Sequence, residues 1–189
     1  MTLYSIILFC HLAATLVVAA ALSIEAISLS RLRRSTTRSE VRVWSDLVPR
    51  FSLIIIGSLA VLLLSGAYMT EQIAAWTLGW PRIAALGLVL IAPFGAVTGK
   101  RMRAIRRESS KDSSTLTALN TRVRDPFLKT SFCVRATLFL GIVFLMTIRP
   151  GLGESLAVLG VSLLLGFGWG FFGTLGSIAK RDPASIEAD

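Results

Sequence analysis

Three ionisable side chains, His11, Glu25 and Arg135, lie inside apolar stretches of this chain. An ionisable group at membrane depth is costly and is rarely kept without a task or a partner, so each marks a candidate site. His11 and Glu25 fall within about 40° of one face of a single helix, but about 21 Å apart along its axis, too far to touch. Glu25 stands near the inner end of its stretch. Arg135 enters its own stretch from the same side, about one and a half turns in, so the two depths match and an intramembrane ion pair Glu25–Arg135 is expected. The alternative is an Arg135 that extends to the head groups beside a hydrated Glu25.

His11 belongs to a different layer. Met69 closes the second apolar stretch, Met146 approaches the outer end of the fourth, and Cys10 neighbours His11. Imidazole and thioether donors at one depth are ligands for a soft ion such as Cu(I), which makes His11, Met69 and Met146 a candidate metal set. Methionine also serves as filler in apolar cores, and a lone histidine often bonds a neighbouring helix. A haem held by two histidines is excluded, because the chain has one histidine. Cys10 and Cys133 lie near opposite faces of the layer and cannot approach to the separation a disulfide needs. No nucleophile–base pair stands out, so the chain is expected not to be an enzyme.

The elements that carry these residues are membrane spans. Of the 189 residues, 53% are hydrophobic, and the mean hydropathy is +0.70. A spanning helix needs roughly 20 apolar residues. Five stretches qualify, at about 3–27, 51–69, 81–99, 130–148 and 154–179. The expectation is an all-α bundle of five transmembrane helices forming one membrane domain over 1–189. The first stretch is too long for the apolar part of a signal peptide, and no basic residue precedes it, so cleavage is not expected.

Charge sets the topology. All of the 20 Lys and Arg residues except Arg82, Arg135 and Arg149 fall in 31–50, 100–129 or the tail after 179. Cytoplasmic loops retain Lys and Arg. The predicted arrangement is N-terminus outside and C-terminus cytoplasmic. Tyr4, Tyr68, Trp76 and Trp80 then fall at the outer boundary, where amphipathic rings settle. The net charge of +9 is explained by these loops and by contact with anionic head groups, and no basic-aromatic motif points to nucleic acid.

Within 38–48, Val41, Trp44 and Leu47/Val48 share a helical face. They fit a short helix lying on the inner surface or a continuation of the second span. The polar stretch 108–117 reads as a loop. Pro93-Phe94-Gly95 is expected to bend or loosen the third span. In the fifth, Gly166, Gly170 and Gly173 share a face on which helix backbones can come close, against a helix of this chain or of another subunit.

Leu8-Phe9-Cys10-His11-Leu12, then Leu62-Leu63-Leu64-Ser65-Gly66-Ala67-Tyr68, a Trp-containing outer loop and Gly99-Lys100-Arg101-Met102-Arg103 follow in order. Over residues 1–107 this order resembles small bacterial inner-membrane proteins of the copper-resistance-protein-D-like group and related uncharacterised integral-membrane families. The resemblance implies a multi-pass protein of the bacterial inner membrane, with His11 in any metal-related role. Two functions are therefore expected to compete. One is a non-enzymatic accessory or scaffolding subunit of a larger membrane complex, without a cofactor. The other is a small transporter or copper-handling permease using His11, Met69 and Met146.

Overall fold

The computed structural model of the chain describes residues 3–35, 37–109 and 125–178. All regular structure among them is helical. Helices α1 (Leu3–Arg34), α2 (Arg38–Gln72), α3 (Gly79–Ser109), α4 (Pro126–Ile148) and α5 (Leu152–Ile178) are joined in part by a 3-10 turn at Ala75–Thr77. Each contains a segment long and apolar enough to cross a membrane. Sequence neighbours pack against one another, α1 on α2, α2 on α3, α3 on α4 and α4 on α5. Helix α3 also reaches α5, whereas α1 and α4 meet over a short length.

The helices overshoot their apolar spans. Helix α1 has 32 residues and α2 has 35, about 48 and 52 Å of rise against a hydrocarbon layer of about 30 Å. The 38–48 stretch is the first part of α2, so the reading as a continuation of the second span holds. Thr37 caps it, accepting from the Glu40 amide at 3.4 Å. Helix α3 runs ten residues beyond the expected end at 99. Its extension, Lys100–Ser109, has no Gly or Pro and is rich in helix formers. Of the polar stretch 108–117, Glu108 and Ser109 close α3, and the remainder lies outside the described residues. Helix α4 starts four residues before the expected 130. Asp125 caps it by accepting from the Phe127 amide at 2.9 Å, and Pro126 takes the first turn, where its missing N–H costs nothing. Asp125 also pairs with Arg101, whose guanidinium lies 4.2 Å from the centre of the Phe127 ring. Helix α3 continues through Pro93, which is exposed on the outside of the bundle.

The overshoot builds a second core. The main one fills the spans, around Val18, Ala84, Val134, Leu138 and Leu145. The smaller one lies at the arginine-rich end, where Leu29 and Leu32 of α1, Val41 of α2, Met102 and Ile105 of α3 and Leu128 of α4 enclose one another. The outside of the spans is apolar too: Leu16, Leu64, Leu140 and Leu164 are 65–74% exposed. Such a surface suits a helix that crosses a membrane.

Candidate functional site

The bundle holds polar groups in two layers. The layer nearer the arginine-rich end is built on Glu25 and Arg135, which the structure brings together. Both are nearly inaccessible, at 3% and 2% exposure. Arg135 Nη1 donates to Glu25 Oε2 at 3.0 Å, and Nη2 donates to Oε1 in the same two-pronged contact. The planar fork of a guanidinium matches a carboxylate in this way. Arg135 Nε donates to the Ser131 carbonyl at 3.3 Å, so three sides of the cation are engaged. Arg135 therefore stays inside the bundle and does not reach its surface.

Sequence reasoning missed the neighbours of this pair. Ser131 Oγ donates to the Phe94 carbonyl at 3.1 Å and lies 2.8 Å from Thr98 Oγ1. With its proton used on Phe94, Ser131 accepts there and Thr98 donates. One turn from Glu25, Ser28 Oγ is buried with no hydrogen-bond partner among the described residues. Ser and Thr are common in spans, where they bond their own helix, so the sequence carried no signal that these would bridge helices. The layer ties α1, α3 and α4 together. Its chemistry is that of a fastening.

The other layer is open. Between α1, α2, α3 and α4, toward the end with the 73–78 and 149–151 turns, lies a cavity of about 340 Å³. His11, Met69 and Met146 all stand on its wall, as their shared depth predicts. Cys10 is exposed on the outside of α1, and Cys133 lies on α4, and both are free thiols. Leu62, Leu88, Phe139 and Ile142 supply apolar wall.

Hydrogen bonding holds His11 in place. Ser65 Oγ lies within hydrogen-bond distance of the Val61 carbonyl and 2.8 Å from His11 Nδ1. With Nδ1 engaged by Ser65, Nε2 is the ring nitrogen left for a further contact. Gly66 lies beside the ring, where an added Cβ would stand 3.4 Å from the imidazole Cε1, an ordinary contact. Three threonines of the wall have used their protons. Thr15 donates to the His11 carbonyl, Thr70 to that of Gly66 and Thr147 to that of Val143.

Trp80 and Arg149 differ from this pattern. Trp80, expected as a boundary ring, is 6% exposed and turned into the bundle, and its Nε1–H has no acceptor among the described residues. Arg149 caps α4 in the left-handed region at φ 54°, which sets its guanidinium 5.8 Å from the centre of the Trp80 ring. It has no carboxylate partner among the described residues. Both line the cavity. Their roles were not legible because they depend on the rotation of α3 and on one backbone turn.

The glycine face of α5 is occupied within the chain. A Cβ on Gly166 would lie 2.6 Å from Val134 Cα, and one on Gly170 would lie 2.7 Å from Thr130 Cα, both on α4. The surroundings of Gly173 fall outside the described residues. This stripe serves an internal helix pair, so it no longer argues for a second subunit.

Fold and layers together define an all-α bundle with five helices suited to crossing a membrane, fastened by a buried ion pair and hollow at the opposite end. No family model matches the chain, and no curated protein or solved structure is significantly similar to it. The metal expectation rests on three donors alone, as no group of three or more His, Cys, Asp or Glu residues that could hold an ion occurs among the described residues.

Proposed function

We propose that this chain is a non-enzymatic, multi-pass protein of a bacterial cytoplasmic membrane that holds a membrane-soluble organic ligand in its hollow end. The observation that carries this reading is the cavity itself. At about 340 Å³ it falls within the range of small-molecule sites, its wall is largely apolar, and polar groups stand at a few points on it. A single metal ion needs a fraction of that space. The arrangement of Lys and Arg supports an orientation with the N-terminus and the cavity outside and the C-terminus in the cytoplasm. Anionic head groups then meet the arginine-rich end.

The copper-handling reading is second, favoured by His11, Met69 and Met146 on one wall. In either case a small carrier or an accessory protein beside a larger complex would put such a site to use.

One experiment addresses both. Protein purified in mild detergent is extracted with organic solvent and the extract analysed by mass spectrometry, for wild type and for Thr15→Phe and Leu8→Trp, which fill the cavity from α1. The expected result is a compound near one per chain in wild type and depleted in both variants, with helical circular dichroism unchanged. Identical extracts from all three would refute the proposal. Copper analysis of wild type and His11→Ala runs alongside. Copper near one per chain in wild type only, with no organic compound, would replace the first reading by the second.

A further inference from the structure

We infer that the ligand is an alkyl amphiphile with an anionic oxygen head, its head seated on Trp80 and Arg149 and its chain lying in the apolar part of the cavity. This inference rests on the binding reading above and specifies the chemistry of the ligand. It follows from counting the protons that the wall still has to give. The three threonines have spent theirs on backbone carbonyls, and His11 Nδ1 is engaged by Ser65. Of the other donors on the wall, the Tyr4 hydroxyl also lines the cavity, the indole N–H of Trp80 has no acceptor among the described residues, and the charged guanidinium of Arg149 lies 5.8 Å from the centre of the Trp80 ring.

A buried N–H without an acceptor is a standing cost of roughly 1–3 kcal/mol, relieved when something with a lone pair arrives. Arg149 adds a full positive charge at the same place. Glu71 and Glu154, on neighbouring parts of this end of the bundle, do not line the cavity, and Glu154 already accepts from the Gly151 amide at 3.2 Å. The local field therefore favours an anion, and a carboxylate or phosphate supplies acceptors for both donors at once. Beyond the head, Leu62, Leu88, Phe139 and Ile142 offer no polar group, which suits methylene carbons. At about 30 Å³ for each water-sized group, the space accommodates on the order of ten heavy atoms. A fatty-acid carboxylate and a phosphate-headed lipid share this chemistry.

The test is equilibrium binding of decanoate, decyl phosphate, decanol and inorganic phosphate to the full chain in nanodiscs of zwitterionic lipid. Wild type is compared with Arg149→Gln, Trp80→Phe and the cavity-filling Thr15→Phe. Each of the first two variants removes one charged or polar contact and keeps most of the side-chain volume. The expected result is that each weakens decanoate or decyl phosphate about tenfold or more and leaves decanol within a factor of about two. Tighter binding of decyl phosphate than decanoate supports the assignment with a phosphate-headed source, and the reverse supports it with a fatty-acid source. Decanol binding as tightly as decanoate, with both indifferent to Arg149→Gln and Trp80→Phe, would overturn the head-group assignment while leaving the cavity as a binding site. Inorganic phosphate binding as tightly as decanoate would overturn the role of the apolar part. Decanoate and decanol both binding Thr15→Phe as they bind wild type would overturn the cavity reading itself. Helical circular dichroism of each variant identifies misfolding, and Arg149→Lys, which keeps the charge, should restore most of the decanoate binding lost in Arg149→Gln.

Discussion

Arg135→Met alone should destabilise the folded bundle by about 3–5 kcal/mol, and Glu25→Met alone by a similar amount. Either change strands a buried charge among apolar side chains, because both partners are almost inaccessible and each is the other's principal contact. The double variant Glu25→Met/Arg135→Met should lie close to wild type, since replacing a buried ion pair by apolar groups of similar volume is often neutral or stabilising. Thr98, Ser131 and the Phe94 carbonyl keep their mutual hydrogen bonds in the double variant, so no second defect is introduced. Reversible unfolding in mixed detergent micelles, followed by circular dichroism, gives the three values. If the double variant loses as much as the two single variants summed, the pair is not the fastening described here.

Among the described glycines of α5, Gly166→Ala should be strongly destabilising for a single added methyl, at about 1–3 kcal/mol. The new carbon would stand 2.6 Å from a backbone atom of α4, and a backbone yields only if the two helices separate. Apolar lipid offers no hydrophobic force to hold them together again, so the loss of close contact is not offset. Gly170→Ala should behave similarly, against Thr130. Gly160→Ala and Gly168→Ala are the controls: nothing lies within 4 Å of either added carbon, and their cost should be near zero. The same unfolding assay reads all four. Equal losses at positions 160 and 166 would show that helix α5 does not pack on α4 through this face.

Much of this architecture was legible in the sequence, and for definite reasons. Five helices follow from the lengths of the apolar stretches, which respond to the thickness of a bilayer and not to tertiary detail. The meeting of Glu25 and Arg135 followed from matched depth, because a costly charge has few ways to be satisfied. His11, Met69 and Met146 reached one cavity for the same reason. Depth, however, carries no information about rotation. Whether Trp80 faces lipid or the bundle depends on how α3 turns about its axis, and a helix apolar all round does not declare this. The position of Arg149 depends on one residue in a left-handed conformation, for which its side chain gives no warning. The extensions of α1 and α3 were hidden by their charges, which read as loop although Leu29 and Leu32, and Met102 and Ile105, are spaced one helical turn apart and are buried.

The Glu25–Arg135 pair also bears on the electric field of an energised membrane. Two opposite charges fixed side by side sum to zero, so a voltage across a bilayer does no net work on them as the bundle shifts along the field. A lone Arg135 would be coupled to that voltage, by up to about 2.3 kcal/mol per 100 mV for a full crossing and by a fraction of this at its depth. Pairing therefore removes the coupling to such a voltage that either charge alone would have.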